Sequence, residues 1–347
     1  MTNNLKELAR HAARRTAPAE FSVASVDAAF ADEMRKLTGS INDFMRNRYD
    51  IYEIIIENAD DVVPAKVMDA MNQFAEVVML RQGETKQFKR GGLGRNRAKK
   101  FLTQVGLSGV YETFRLDTET FTISMKAIGG AVSIDFERML DGAESLAEFM
   151  DVLAEAQIDG IYGEVQKALM AAEKNMPTPN KVIGDYKAES LLGIVNVVKT
   201  YGGGATIFAS PEFVAAMGPD AIVPGIAGVA HAVYNPKDIE DIAAFGRVKM
   251  FRGTPIVELR QSYLDENNDK VMIHPQYAYI LPTGKEKVVK ILMEGNTQMW
   301  DIPNADQSIE VHTYRKIGVG ILTYNNWGVY QNDQIDASNW YDSSIGL

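Results

Sequence analysis

Between Asp141 and Pro177 the chain sets apolar residues at Leu146, Phe149, Val152, Leu153, Ile161, Val165 and Leu169, spacings that mark one face of a single long helix. Asp141 and Glu144 have capping-box spacing, with Asp in place of the usual Ser or Thr. Pro177 and Pro179 end the pattern. At 1.5 Å per residue a helix over Ala143–Lys174 is roughly 45–50 Å long, more than the diameter of a small domain. Gly160 and Gly163 weaken its interior by about 1 kcal/mol each relative to Ala. A rod of this length reads as the backbone element of a flat, elongated subunit.

The stretch before the rod has a different texture. Val77 and Met79 begin a strand, and a Gly-rich basic tip follows over Lys89–Lys100 with Gly91, Gly92 and Gly94. Phe121, Ile123, Met125 and Ala127 then alternate with polar residues, as in a half-buried strand. Gly129-Gly130 is a turn signal, after which Val132, Ile134 and Phe136 alternate. The block reads as a long two-stranded excursion. Such a ribbon has little core of its own and is expected to find its buried surface on another subunit.

Residues 1–75 read as helical arm segments. Phe30, Met34, Leu37, Ile41 and Phe44 recur at spacings of three and four, Ile51–Ile56 suits helix or strand equally, and Pro64 can open a short helix through Val67, Met68 and Met71. Residues 185–283 form an α/β block. A helix from Glu189 runs through Leu192, Val195 and Val198 to Gly202-Gly203-Gly204. Ala205–Ala209 is a buried strand, Pro211–Met217 a helical turn capped by Ser210, and Lys249–Leu259 and Val271–Leu281 two strands joined by the polar turn Asp265–Asp269. Beyond it, Lys287–Met293, Ser308–Lys316 and Gly318–Tyr324 read as strands. The tail from Gln331 to Leu347 is polar, with Trp340 and Tyr341 the residues able to dock.

Few functional chemistries fit. The 347 residues contain no cysteine, which removes disulfides, thiol nucleophiles and cysteine zinc sites. His11, His231, His274 and His312 are scattered and form no metal-binding motif. Gly92-x-Gly94 and Gly202-x-Gly204 have Arg97 and Ile207 where a dinucleotide loop needs its third glycine, and no GK[ST] follows either. Asp265–Asp269 imitates the opening of a calcium loop, but Lys270 and Gln276 hold the glycine and glutamate positions. Glu310 and His312 share a strand face without a third ligand, and Ser210 is followed by Pro211 outside any GxSxG elbow. Neither a cofactor, a metal nor a catalytic residue is expected. The N-terminus is charged from the start, and the longest nearly apolar stretch, Ala221–Val233, is short and broken by Pro224, so no signal peptide or membrane span is expected.

The net charge is −10, against a dedicated nucleic-acid binder. Within this acidic chain Lys86, Lys89, Arg90, Arg95, Arg97, Lys99 and Lys100 crowd the ribbon, offset only by Glu84. Three readings stay open: docking onto acidic surface of a neighbouring copy, a solvated loop, and phosphate contact with nucleic acid. Phe88 and Phe101 alone give little support for base stacking.

The order of textures resembles the major capsid proteins of tailed bacteriophages, the Hong Kong phage-type fold shared with encapsulins. The resemblance is carried by FTISMKAIGGAVSIDFERML at Phe121–Leu140 leading into the rod, TIFASPEFVAAM at Thr206–Met217, GTPIVEL at Gly253–Leu259, AYILPTG at Ala278–Gly284 and GVGILTYNNWGVYQN at Gly318–Asn332, within residues 76–332. It implies an α+β fold with an N-terminal arm (1–75), an extended two-stranded loop (76–128), a peripheral domain with the spine helix (129–184), an axial domain (185–283), C-terminal strands of the peripheral domain (284–332) and a tail (333–347). It also implies a structural subunit, not an enzyme, that assembles with itself as pentamers and hexamers into an icosahedral head shell around phage DNA. The arm and loop would reach across neighbours. Scaffold, portal and decoration proteins are the implied further partners, DNA contact would be non-specific, and no membrane is involved. The expected place is the virion, assembled in the host bacterial cytoplasm. An encapsulin-type nanocompartment shell and a nucleic-acid-binding protein are the alternative readings. Some relatives cross-link a loop lysine to an asparagine. Lys86, Lys89, Lys99 and Lys100 would be the donors and Asn325 and Asn326 the acceptors.

Overall fold

The computed structural model describes residues 2–13, 22–37, 39–72, 74–90, 119–134, 146–218, 250–283, 287–303, 309–322 and 326–340. The helices are α1 (Thr2–Ala13), α2 (Val23–Leu37), α3 (Ile41–Met71), α4 (Leu146–Glu173), α5 (Ala188–Gly202) and α6 (Pro211–Ala216). The strands are β1 (Ala75–Leu80), β2 (Gln87–Arg90), β3 (Glu119–Thr122), β4 (Lys126–Ile134), β5 (Lys181–Ile183), β6 (Ala205–Ala209), β7 (Met250–Phe251), β8 (Thr254–Glu258), β9 (Tyr277–Pro282), β10 (Val289–Pro303), β11 (Ile309–Ile321) and β12 (Gly328–Gln331).

The rod is present as α4, whose 28 described residues span about 42 Å. Ile158, Ile161, Tyr162, Val165 and Leu169 are buried along it. Val152, counted with that face in the sequence, is 61% exposed, and the side chains of Leu146, Phe149 and Leu153 lie outside the described ones. The expected cap at Asp141 and Glu144 lies outside the described residues.

Two sheets share a core with α4. The first has the order β1-β10-β11-β4, with β1 parallel to β10 and the remaining pairs antiparallel. Strand alternation splits its faces. Val289, Ile291, Met293 and Ile317 join the α4 core, whereas Leu80 and Leu292 form a separate cluster with Phe88 on the opposite face. The second sheet has the order β5-β12-β9-β6-β8-β7. Phe208, Tyr279 and Leu281 turn toward α4, and Ile207, Ala209, Ala278 and Ile280 pack with Leu191, Ile194, Val195 and Val198 of α5 and Phe213 of α6. Ser210 caps α6 by accepting a hydrogen bond from the Phe213 N–H at 3.1 Å. Gly203, at φ +78°, closes α5 in the left-handed conformation.

Several local expectations give way to tertiary context. Pro64 lies inside α3 instead of opening a new helix, so the helix forgoes one N–H donor there and continues. The ambiguous Ile51–Ile56 stretch is helical, with Ile51 and Ile54 buried. Gly129 and Gly130 make no turn. They pair with Tyr314 and Thr313 inside β4, where the ladder to β11 provides for their backbone. The proposed strand Lys249–Leu259 is a hairpin, because Arg252 (φ 43°) and Gly253 (φ 76°) both take the positive φ of a tight two-residue turn. The strands expected at Ser308–Lys316 and Gly318–Tyr324 are one strand, β11. The segment Ile123–Met125 crosses directly over Gly318 and Gly320. An added Cβ at Gly320 would stand 2.6 Å from Ile123, so the glycines admit the crossing and do not break the strand. β12 leaves the β10–β11 hairpin and pairs with β9 and β5 in the second sheet.

Within the chain the arm packs α1 against α3 and sets α3 beside α4 and the first sheet. Lys6 bridges Glu53 and Glu57 of α3, at 2.8 and 3.0 Å, and Arg10 meets Glu57 at 2.9 Å. Arg315 of β11, only 2% exposed, donates to the Gly295 carbonyl at 3.0 Å and faces Asp60 of α3 at 3.5 Å. Lys287 donates to the Asn72 side chain at 3.1 Å and to the Ala75 carbonyl at 3.2 Å, beside the C-terminal end of α3. A partly buried cation there suits the negative end of the helix dipole.

Candidate assembly surface

The ribbon begins on the face of the first sheet that points away from α4. β2 and β3 pair from Gln87–Thr122 to Arg90–Glu119. Phe88, 7% exposed, packs on Leu80 and Leu292, and its ring stacks on Phe121 at 5.8 Å. The ammonium groups of Lys86 and Lys290 stand 5.3 and 5.9 Å from the Phe88 ring centre. Lys290 also pairs with Glu76 of the neighbouring strand. Phe88 is thus the apolar anchor of the ribbon base.

Among the basic residues singled out from the sequence, Lys86 sits at this base. Lys89 and Arg90 follow in β2, with Arg90 opposite Glu119. Arg95, Arg97, Lys99 and Lys100 lie outside the described residues, as does Asn325. Glu310 and His312 are in β11, paired with Ile302 and Trp300 of β10. Among the described residues no group of three or more potential ligands could hold a metal ion, and no helix is long and apolar enough to cross a membrane.

A second feature went unread in the sequence. Residues 260–273 form a small lobe at the edge of the second sheet, beside α4. Gln261 clamps its neck, accepting from the Ile273 N–H at 2.7 Å and donating to the Ile273 carbonyl at 2.9 Å. Tyr263 bridges to Val271, and one Asp265 carboxylate oxygen accepts from the backbone N–H groups of Asp269 and Lys270 at 3.0 and 2.9 Å. The tail closes over the lobe. Val271 donates to the Asn339 carbonyl, and Trp340 packs on His274 with ring centres 4.5 Å apart. Burial holds the His274 imidazole well below its usual pKa, at about 4. Held this way, the lobe presents Tyr263 (57% exposed) and Leu264 (47%) beside the exposed side chains of Glu266 and Asp269. At its root Arg260 meets Glu155 of α4 at 3.5 Å. The sequence signal was an apolar pair directly ahead of an acidic turn, and only the turn had been noticed.

A long helix sharing one core with two sheets, and a two-stranded ribbon on the far face of one of them, is the fold of phage major capsid proteins. The chain matches solved capsid structures at low identity. The asymmetric unit of the bacteriophage PhiM1 mature capsid gives a TM-score of 0.50 at 9% identity, over 77% of this chain and 87% of that one. Mycobacterium phage Adephagia gives 0.50 at 13%, over 77% and 90%. The satellite phage P4 procapsid including size determination (Sid) protein gives 0.50 at 7%, over 81% and 90%. No curated protein matches the sequence. Residues 4–331 match the family described as "SPbeta prophage-derived putative capsid protein YonB", and the chain belongs to that family. It is a structural subunit that assembles with copies of itself into a capsid shell and is a component of the virion.

Proposed function

We propose that the shell is a closed icosahedron of pentamers and hexamers enclosing phage DNA, assembled in the cytoplasm of the bacterial host, and that the basic tip of the ribbon is the element by which each subunit engages the next. In this reading residues 76–128 are the extended loop, 185–283 the axial domain, 129–184 and 284–332 the peripheral domain, and the role is purely structural. The observation that carries it is the way the ribbon is held. Its base is four residue pairs pinned by Phe88 and Phe121, and the sequence beyond Arg90 is strongly basic in an acidic chain. A ribbon of that size is marginal alone and gains its stability from what it lies on. Complementary charge sets register and partner choice at such a contact. Repetition around a ring and over a shell multiplies weak contacts into a stable particle. Contact with packaged DNA is electrostatic and sequence-independent. A scaffold, a portal and decoration proteins complete the set of partners.

Reversing Arg95, Arg97, Lys99 and Lys100 to glutamate tests the docking role. The expected product is a folded subunit with the parent's circular dichroism and melting curve that yields no shells by sedimentation and negative-stain microscopy. Normal particles from this variant would refute it.

A further inference from the structure

We infer that the tail is an acid-released strap: a proton on the His274 imidazole frees the strap's far end, Asn339 and Trp340, while Gln276 keeps its near end in place. The strap is tied at two points. At the near end the Gln276 carbonyl accepts from the Asn332 N–H at 2.9 Å, and the Gln276 side chain donates to the Ile335 carbonyl at 2.8 Å and accepts from the Gln331 amide at 3.2 Å. Gln334 donates to the Asp185 carboxylate at 2.7 Å. At the far end the Val271 N–H donates to the Asn339 carbonyl at 2.9 Å, and the Trp340 ring lies on His274. Asp336 and Ser338, between the two ties, are exposed.

The site around His274 suits a neutral ring. The residue is 8% exposed, with the Tyr277 ring centre at 4.7 Å and that of Trp340 at 4.5 Å. Its Nδ1 accepts from the Gln276 N–H at 3.3 Å. An imidazolium carries a hydrogen on both ring nitrogens, so a proton there sets a donor against a donor. The titratable groups on the elements around the ring are Tyr277, the lobe's Arg260, Asp265, Glu266, Asp269 and Lys270, and the tail's Asp333 and Asp336. Burial, and then Glu173, push the Tyr277 hydroxyl up to about 12, so it stays neutral. Among the described residues no charge offsets the burial that lowers His274. A buried charge without a partner has to be hydrated or given up. β9 holds Tyr277 in the second sheet, whereas one backbone hydrogen bond and the ring contact tie the far end of the tail to the body, so that end lifts. An imidazole that titrates at about 4 when covered and at 6.5 when open makes the closed strap the high-pH form. Opening becomes roughly twentyfold more favourable between pH 7 and pH 5, and roughly a hundredfold by pH 4.

Two measurements on the full chain test this. In the first, 5-fluorotryptophan is incorporated at Trp300, Trp327 and Trp340, and Trp340→Phe assigns the resonance of the strap. From pH 7 to about pH 4.5 the Trp340 signal should move to a solvent-exposed position, while that of Trp327, 1% exposed in the core, stays in place. His274→Phe keeps a ring at the site but takes up no proton, and in that variant the Trp340 signal should hold still over the same range. A Trp340 signal that stays unmoved in the parent, that moves equally in His274→Phe, or that moves only together with Trp327 overturns the strap. The second measurement reads the same linkage in reverse. Deuterium exchange at the imidazole C2 position, followed by mass spectrometry, gives the titration midpoint of His274. Trp340→Ala should raise that midpoint from about 4 to about 5 or above, because the open ring is hydrated. An unchanged midpoint would show that Trp340 does not seal the imidazole, and the assignment would fall.

Discussion

Replacing Phe88 with alanine should free the ribbon while leaving the body folded. Phe88 is 7% exposed, and among the described residues its cluster holds Leu80 and Leu292 as buried neighbours, with Val78, Phe121, Ile123 and Met125 partly covered. A phenylalanine removed from a full core costs about 3–5 kcal/mol, and this thin cluster places the loss at the lower end, about 3 kcal/mol. That sum already contains the stacking on Phe121, worth about 0.5–1.5 kcal/mol, and the attraction of the Lys86 and Lys290 ammonium groups to the ring. At about 1.4 kcal/mol per factor of ten, local opening should become roughly a hundredfold more frequent. Hydrogen exchange read by mass spectrometry gives the answer peptide by peptide. Amides of Gln87–Arg90 and Glu119–Thr122 should exchange about a hundredfold faster, whereas those of α5, buried in a different cluster, should hold their protection. Shell yield should fall with the ribbon's order, because a loose tip must be ordered again at each contact. Unchanged ribbon exchange would show that Phe88 is no anchor. Equal acceleration in α5 would show that ribbon and body open as one unit.

Two further outcomes follow from the packing. The His274 imidazole titrates at about 4 when folded, against 6.5 in the open chain, so the unfolded state binds its proton first. Stability is therefore full above pH 6.5 and declines as pH falls toward 4, by up to about 3 kcal/mol. Denaturant titrations at several pH values should show that slope, and His274→Phe should flatten it. Gly328→Ala would drive a methyl group into Ile194 and to 3.0 Å from the Asn180 carbonyl, at a cost of about 1–3 kcal/mol read as a lower Tm. Gly193→Ala, on α5 with no atom within 4 Å of the added group, should instead stabilise by up to about 1 kcal/mol.

What the sequence disclosed was whatever depends on local periodicity. The rod from Ile158 onward, α5 with its glycine stop, the Ser210 cap and the buried strand Ala205–Ala209 all follow from spacing and from single-residue chemistry. What stayed hidden depends on partners distant in sequence. Gly129-Gly130 reads as a turn until β11 is seen alongside it, and Gly318 reads as a break until Ile123–Met125 is seen crossing above. One of the ties that hold the arm joins Asp60 and Arg315, two ordinary charges 255 residues apart. The lobe was missed for a related reason. Tyr263 and Leu264 resemble core residues by type, and only their exposure distinguishes them.

The charge distribution bears on how such subunits associate. With a net charge of −10, two copies repel as they approach. At physiological salt that repulsion fades beyond about 8 Å, whereas charges in contact are screened far less. The six basic residues of Lys89–Lys100 could therefore meet a neighbour's carboxylates, as proposed above, without neutralising the chain as a whole. In the proposed docking, contacts that bring tip to acidic surface would be favoured over those that bring acidic body to acidic body, so the same imbalance that keeps free subunits apart would select the register in which they join. The buried arginine acts at the other end of the process. Arg315 binds the carbonyl of Gly295 at the irregularity in β10 while facing Asp60 of the arm. Fixing arm and sheet before assembly leaves each subunit with fewer loose elements to order at the contact, which lowers the entropic cost of every contact it makes.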